Sequence, residues 1–165
     1  MLRPQDIVVC LHLSLYGSST YAELAQALQT NVALPHRSVQ RACAAKLLDP
    51  QRRPLRANLL EFILHGVRYV FYASPSAVVR GVPSGAGAPG VAAHLTTTAG
   101  NTFVWPSSEG RARGLGLEPL HASAPRLAAS HPELYTALAA IDLLRVGNAR
   151  ERAVAGELLE ELLRP

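Results

Sequence analysis

The sequence predicts a mainly α-helical fold with a small β component. Three observations support this prediction. Apolar residues recur every three or four positions over most of the chain, capping residues mark where such stretches begin, and β-branched and aromatic residues cluster in a few short runs. The order of these elements predicts an N-terminal winged helix-turn-helix at residues 1–82, a Gly/Ala/Pro/Thr-rich loop at 83–102, and a strand segment with a dimerising C-terminal helical hairpin at 103–165.

Length and charge limit the function. At 165 residues the chain is long enough for one sizeable core, or for a small module with an appended element. Residues 1–80 carry nine Arg and Lys against four Asp and Glu, whereas residues 81–165 carry seven against eight. Between Pro35 and Arg56, six basic residues accompany a single acidic one, Asp49. Such a basic footprint neutralises phosphates, so the N-terminal half is predicted to bind nucleic acid.

The sequence contains no motif that is typical of an enzyme, a metal site or a membrane span. Cys10 and Cys43 lie among apolar neighbours without partners at ligand spacing, so both are predicted to be core residues and no metal site is expected. HExxH and GxSxG motifs are missing, and the glycine-rich residues 84–90 lack the Lys-Ser/Thr of a phosphate-binding loop. We therefore expect no catalytic residue and no cofactor. The interrupted apolar pattern of the N-terminus, and the lack of any long apolar span, predict a cytoplasmic protein.

Apolar spacing and capping residues predict the first three helices. The predicted spans are residues 4–16, 20–29 and 35–48. Pro4 lies in the first turn of the first helix, and Gly17 follows its end. Thr20 with Glu23 forms a capping box at the start of the second helix, and Pro35 suits the first position of the third. Two short helices joined by a tight turn constitute a helix-turn-helix.

The third helix carries a polar face that is typical of DNA reading. Its predicted apolar face comprises Val39, Ala42, Cys43 and Leu47. In the major groove arginine pairs with guanine and glutamine with adenine, and residues early in the helix reach the base edges. Phosphate contacts are also predicted at the start of the second helix and in a basic cluster after the third. The predicted DNA-binding residues are therefore Thr20, Tyr21, His36, Arg37, Ser38, Gln40, Arg41, Lys46, Arg52, Arg53 and Arg56. The alternative is an ordinary solvated face, with Thr20 only a cap.

The following segments predict a fourth helix and a β-hairpin. LRANLLEFILH, at residues 55–65, is strongly apolar and is followed by Gly66 as a capping glycine. VRYVFY at 67–72 and VVRGV at 78–82 are rich in β-branched and aromatic residues and flank a turn, which predicts the hairpin of a winged helix. The candidate phosphate contacts on this hairpin are Arg68 and Arg80.

The middle of the chain gives weaker signals. Residues 83–101 contain no Asp, Glu, Lys or Arg and are predicted to form a long loop. TFVWP and GLGLEPL are predicted to be two extended segments, which pair with each other or add to the hairpin.

The C-terminal third is predicted to form a helical hairpin. Ser130 with Glu133 forms a second capping box and opens a helix that ends at Gly147. Asn148 with Glu151 opens the last helix, which has one apolar face. This hairpin must bury its apolar stripe either in the core of the chain or against a second copy. The residues predicted to hold a homodimer are Leu134, Leu138, Ile141, Val154, Leu158 and Leu162.

Three stretches, LRPQDIVVCLHL, TYAELAQAL and LPHRSVQRA, resemble the start of bacterial winged helix-turn-helix regulators of the MarR-like type. In that family a first helix packs behind a second helix bearing Leu-Ala and a recognition helix bearing Ser-x-x-Arg. The resemblance covers the first half of the chain. It implies a dimeric repressor that binds palindromic operators in double-stranded DNA, sometimes released by a small ligand. The near-neutral, apolar C-terminal half supports an alternative class, a protein-interaction or antitoxin-like adaptor.

Overall fold

The computed structural model describes residues 1–96 and 102–165, which form a mainly helical protein with a small three-stranded sheet. The helices are α1 (Pro4–Tyr16), α2 (Tyr21–Ala27), α3 (Ala33–Ala44), α4 (Arg56–His65), α5 (Val67–Val70), α6 (Pro89–Ala92), α7 (Ala124–Ser130), α8 (Pro132–Val146) and α9 (Ala149–Leu162). The strands are β1 (Val78–Ser84), β2 (Phe103–Pro106) and β3 (Ala112–Gly116). The predicted mainly α composition with a small β component is confirmed.

The first two helices begin where the sequence predicts because their capping groups are in place. At α1, Pro4 occupies the first turn and the Asp6 carboxylate accepts a hydrogen bond from the Arg3 amide at 2.8 Å. At α2, the Thr20 hydroxyl accepts from the Glu23 amide at 3.1 Å, and the Glu23 carboxylate accepts from the Thr20 amide at 2.7 Å. The predicted capping box at Thr20 is confirmed.

Helix α3 differs from its predicted span at both ends. It begins at Ala33, two residues before Pro35, because the Asn31 side chain accepts a hydrogen bond from the Ala33 amide at 3.1 Å. Proline is tolerated there because the first turn of a helix does not use its amide protons. The helix ends at Ala44, where the prediction placed its end near Leu48.

The early end of α3 is caused by a left-handed residue. Lys46 has φ of 60°, which turns the chain out of the helix. Its amide donates to the Cys43 carbonyl at 3.0 Å, and the Leu47 amide donates to the Ala42 carbonyl at 2.9 Å. These two bonds satisfy the last carbonyls of the helix in the pattern of a Schellman motif, with lysine in the position where glycine is usual.

The predicted strand at residues 67–72 is wrong, because most of this segment continues the helical path as α5. Gly66 keeps φ of −110° and ψ of −40° and so does not divert the chain. The Phe71 amide donates to the Val67 carbonyl at 2.8 Å, and both side chains are buried. Their spacing of four residues is helical. The predicted hairpin with residues 78–82 therefore does not form.

Strand β1 pairs instead with strands from later in the chain. It is antiparallel to β2 on one side and to β3 on the other, while β2 and β3 make a short parallel contact. The predicted extended segment TFVWP forms β2. The second, GLGLEPL, is a strand only over its first three residues, because β3 spans Ala112–Gly116. Gly81 permits the close approach of β1 and β2, since a Cβ atom there would lie 2.0 Å from the Trp105 carbonyl oxygen.

The loop predicted at residues 83–102 is wrong for much of its length. Residues 83 and 84 belong to β1, a 3₁₀ turn spans Gly85–Gly87, and α6 follows. Ala88 and Val91 are fully buried in the core. The segment carries no charged side chain, and the burial of these apolar side chains accounts for its regular structure. Residues 97–101 lie outside the described part of the chain.

The C-terminal helices are confirmed apart from one cap. The Asn148 side chain accepts from the Glu151 amide at 2.9 Å, and the Glu151 carboxylate accepts from the Asn148 amide at 2.9 Å, as predicted for α9. The capping box predicted at Ser130 is wrong, because Ser130 ends the additional helix α7 and makes no cap for α8. Helix α8 follows directly from His131.

The C-terminal hairpin buries its apolar stripe in the core of its own chain. Helix α8 packs against α1, α5, α6, α7, α9 and β1. Leu134, Leu138, Ile141 and Leu158 are buried, and Val154 and Leu162 are half-buried. The prediction that this set faces a second copy is wrong for the four buried leucine and isoleucine side chains, because the intramolecular contacts already cover them. The alternative of an internal core accounts for them.

Candidate nucleic-acid interface

The outward face of α3 presents the side chains of His36, Arg37 and Gln40. All three are exposed, whereas Val39 and Ala42 on the opposite face are buried. The Arg37 Nε donates to the Ala33 carbonyl at 3.2 Å, which holds the stem of the side chain along the helix. Its two Nη groups have no partner in residues 1–96 and 102–165 and are free to bind an external acceptor.

Arg41 and Ser38, both predicted to contact DNA, instead fix α3 to α1. The Asp6 carboxylate is fully buried and accepts from Arg41 Nε at 2.8 Å and Nη2 at 2.7 Å. Ser38 is also fully buried, and its hydroxyl accepts from Arg41 Nη2 at 3.3 Å. The bonds to Asp6 raise the pKa of Arg41. The prediction of base contacts by Ser38 and Arg41 is wrong, because Ser38 is buried and the Asp6 carboxylate holds the Arg41 guanidinium against α1.

Tyr21, the first residue of α2, contacts Arg52 from the basic segment that follows α3. The Arg52 guanidinium stacks 4.8 Å from the centre of the Tyr21 ring and donates to the Ser19 carbonyl at 3.3 Å. The His36 ring meets the edge of Tyr21 at a centroid distance of 5.1 Å. This cluster brings three predicted DNA-binding residues together. The face of the Tyr21 ring and one Nη group of Arg52 are already used in these contacts. We therefore assign to both residues the role of supporting His36.

The predicted phosphate clamp after α3 is wrong for Arg56. Its guanidinium donates to the Leu163 carbonyl at 3.0 Å and the Ser14 carbonyl at 2.8 Å, tying α4 to the C-terminus and to α1. Arg53 is 75 % exposed but pairs with Asp49 at 2.7 Å. Hydrogen bonds from the Arg53 backbone and side chain lower the pKa of Asp49, which therefore stays charged beside it.

Thr20 is exposed, but its hydroxyl and amide are both used in the cap of α2. Hydrogen bonds from Thr20 lower the pKa of Glu23. The capping alternative therefore accounts for Thr20 without DNA. Lys46 is exposed at the turn after α3 and has no ion-pair partner among the described residues.

Sequence analysis missed Arg3, which joins Arg37 at the start of α3. Both residues line a cleft of about 170 Å³, together with Gln5, Thr30, Asn31, Leu34 and Arg41. Arg3 is exposed. It precedes α1 and is distant in sequence from α3, so only the packing of the two helices could reveal the pairing.

A second group of arginines lies on the sheet. Arg80 on β1 is the cross-strand partner of Arg113 on β3, and both are exposed, as is the neighbouring Arg111. Sequence analysis named Arg80 but missed Arg111 and Arg113, because the register of β1 with β3 was not predicted. Arg68, also named, stacks on Tyr69 at 5.0 Å.

Comparison with protein-family models, curated proteins and solved structures finds no match for this chain. The MarR-like resemblance therefore stays a prediction from its short motifs. Over residues 1–96 and 102–165, no three His, Cys, Asp or Glu side chains are arranged to hold a metal ion. Within the same ranges, no helix has the length and apolar character needed to cross a membrane.

Proposed function

We propose that this protein binds double-stranded DNA through α3 and acts as a sequence-specific transcriptional regulator. One observation carries the proposal: His36, Arg37 and Gln40 are exposed on a helix that the Asp6–Arg41 pair fixes to α1. A firmly held helix with an exposed arginine and glutamine is suited to base edges in the major groove.

Phosphate contacts would flank this helix. Arg3 lies near the start of α3 and Lys46 just beyond its end, so the two cations stand at opposite ends of the reading face. The helix dipole adds a partial positive charge at the N-terminus of α3. Such contacts position the protein on the duplex, while Arg37 and Gln40 supply the sequence preference.

The exposed arginine pair on the sheet supports the same function. Like charges placed opposite each other on neighbouring strands disfavour folding unless an anion lies between them. Arg80 and Arg113 have this arrangement. We assign them to the DNA backbone, the role that sequence analysis gave to a hairpin at residues 67–82. A protein seated on a promoter in this way blocks transcription, so we expect a repressor.

The test is selection of bound fragments from a random duplex pool by the full-length protein. The proposal expects a recurring motif, enriched over a pool selected by the Arg37→Ala/Gln40→Ala variant. A two-fold symmetric motif would in addition indicate that the protein binds DNA as a homodimer. Enrichment of no motif, or of the same motif by both proteins, would reject base reading by α3.

A second function, binding of a protein partner, is favoured by an exposed apolar surface. Tyr69, Val70 and Tyr72 are 70 %, 54 % and 75 % exposed. Isolated apolar residues on a surface are ordinary, whereas a contiguous exposed apolar patch marks an interaction site, and these three residues lie within four positions of the chain. Retention of a stoichiometric protein partner that is lost in Tyr69→Ser/Tyr72→Ser, without salt-dependent DNA binding, would favour this function.

A further inference from the structure

A cleft of about 340 Å³ lies on the side of the molecule where the start of α1 meets the end of α8. Its volume is within the range of sites for small ligands. Its lining includes Gln5, Phe71, Tyr72, Leu120, His121 and Arg145. The cleft therefore combines polar side chains with aromatic and aliphatic ones, and it shares only Gln5 with the cleft at the start of α3.

Arg145 supplies a nearly buried positive charge to this cleft. Its side chain is only 5 % exposed. Nε donates to the Phe71 carbonyl at 2.8 Å, and Nη1 donates to the Glu118 carbonyl at 3.0 Å and to Asp142 at 2.8 Å. Nη2 has no hydrogen-bond partner in the described part of the chain, yet it is not sealed from solvent. The N–H groups on Nε and Nη1 are thus used within the protein and hold the guanidinium in place, while the two N–H groups on Nη2 remain available to a ligand.

The tautomer of His121 is fixed by its neighbour. The Ser123 amide donates to His121 Nδ1 at 3.2 Å, so Nδ1 accepts and carries no proton. In the neutral ring the proton is then on Nε2, which has no partner in the described residues. Burial lowers the pKa of His121, which keeps the ring neutral near pH 7. A second unpaired donor therefore lines the cleft.

We propose that this cleft binds a small organic carboxylate. Its two oxygens would accept from Arg145 Nη2 and His121 Nε2, and a short aromatic or aliphatic body would pack on Phe71, Tyr72 and Leu120. Both unpaired groups are hydrogen-bond donors, so a ligand that fits them must supply acceptors. A carboxylate does so, and its two oxygens pair well with a guanidinium group.

Other charges around the cleft make the binding sensitive to pH. Asp142 neutralises Arg145 from the side away from the cleft, where it also accepts from Ser84 at 2.5 Å and Trp105 at 2.7 Å. Glu118 at the rim is exposed and negative. Bound carboxylate adds a further negative charge, so His121 takes up a proton when the ligand binds. The affinity accordingly rises as the pH falls through the pKa of His121 in the complex, and it levels off below the pKa of His121 in the free protein.

The test is a titration of the isotope-labelled full-length protein with benzoate, followed by NMR, with benzamide as the uncharged control. The expected result is saturable shifts at Tyr72, His121 and Arg145, a Kd of about 1 mM or lower, and binding at least about tenfold weaker for benzamide. Affinity is expected to rise about threefold or more from pH 7.5 to pH 6, with a proton appearing on His121 Nδ1.

Two variants isolate the donors without removing the buried charge. Arg145→Lys keeps a cation beside Asp142 but loses the second arm of the guanidinium, and His121→Phe loses the Nε2 proton. Each is expected to weaken benzoate binding by about tenfold, while the exposed His65→Phe on α4 changes nothing. Equal binding of benzoate and benzamide, indifference to both variants in folded protein, or no saturation overturns the site. No DNA enters this experiment, so its outcome is independent of the function of α3.

Discussion

At the scale of single residues, the most consequential pair is Asp6 with Arg41. The carboxylate is fully buried, and the guanidinium that neutralises it is 20 % exposed. Removal of the arginine leaves an uncompensated buried charge, so Arg41→Ala is expected to lower the free energy of unfolding by about 3–5 kcal/mol.

Denaturant unfolding checks this expectation, and Arg37→Ala, one helical turn away on the exposed face, is the matched control with a change below about 0.5 kcal/mol. The variant Asp6→Asn/Arg41→Gln should recover part of the loss because no unpaired charge remains. A loss below about 1 kcal/mol in Arg41→Ala would mean that the pair does not fix α3 to α1.

Lys46 combines backbone strain with a charge proposed for DNA. A side chain at φ of 60° is strained, and glycine adopts this conformation freely. Lys46→Gly is expected to raise the free energy of unfolding by about 0.5–1 kcal/mol while weakening DNA binding. Lys46→Ala removes the same charge but keeps the strain, so thermal unfolding should separate the two variants. Equal stabilities would show that the strain at Lys46 is negligible.

His12 makes stability depend on pH. Its side chain is 6 % exposed, and its Nδ1 is buried without a partner in the described residues. Burial, followed by the neighbouring His131, lowers its pKa below the ordinary 6.5. The unfolded chain therefore binds a proton more readily than the folded chain. Stability from His12 is present above pH 6.5 and is lost as the pH falls through the lower folded-state pKa.

The predicted observation is a free energy of unfolding that decreases between about pH 7 and pH 5. His12→Phe should flatten part of this slope, and His121, whose pKa is also lowered by burial, accounts for a further part. The exposed His65→Phe should leave the slope unchanged. A slope that is identical in His12→Phe and the wild type would contradict the assignment.

At the scale of elements, β1 and β3 bring Arg80 and Arg113 directly opposite each other. Arg113→Glu replaces repulsion by a cross-strand ion pair and is expected to stabilise the sheet by about 0.2–1 kcal/mol while weakening DNA binding. Arg111→Glu makes the same change of charge beside the pair and should give less stability. If the two variants have equal stability, the cross-strand contact contributes nothing.

Sequence pattern predicts those elements whose signals are local. The caps at Thr20 and Asn148 are set by residues three positions apart, and both form as predicted. The failures involve partners far along the chain. Residues 67–72 have strand-forming side chains, but Val67 and Phe71 bury together on a helix that packs on α8. Tertiary packing outweighs β propensity there.

The same distinction applies to the candidate interface. Helical spacing correctly places His36, Arg37 and Gln40 on the outer face of α3, because that face depends on local periodicity alone. It cannot place Arg41, whose partner Asp6 lies 35 positions earlier on α1. It also cannot place Arg3 beside Arg37, or Arg113 beside Arg80, since each pairing needs the packing of separate elements.

At the scale of the whole molecule, one core joins the N-terminal and C-terminal halves. Helix α8 has nine buried residues and contacts α1 as well as α9. The core includes Leu11 of α1 and Leu24 of α2 as well as Leu138 of α8 and Leu159 of α9. The division into domains at residue 82 stays a prediction.

The most direct test of the central claim is the affinity of the full-length protein for its selected duplex over a range of salt concentrations. Arg37→Ala is compared with Arg164→Ala, which removes an equal charge from the exposed C-terminus. We predict that Arg37→Ala weakens binding by about 1–3 kcal/mol and relaxes the sequence preference, while Arg164→Ala has no effect. Equal affinity of the two variants for the selected duplex would contradict the claim that α3 reads DNA.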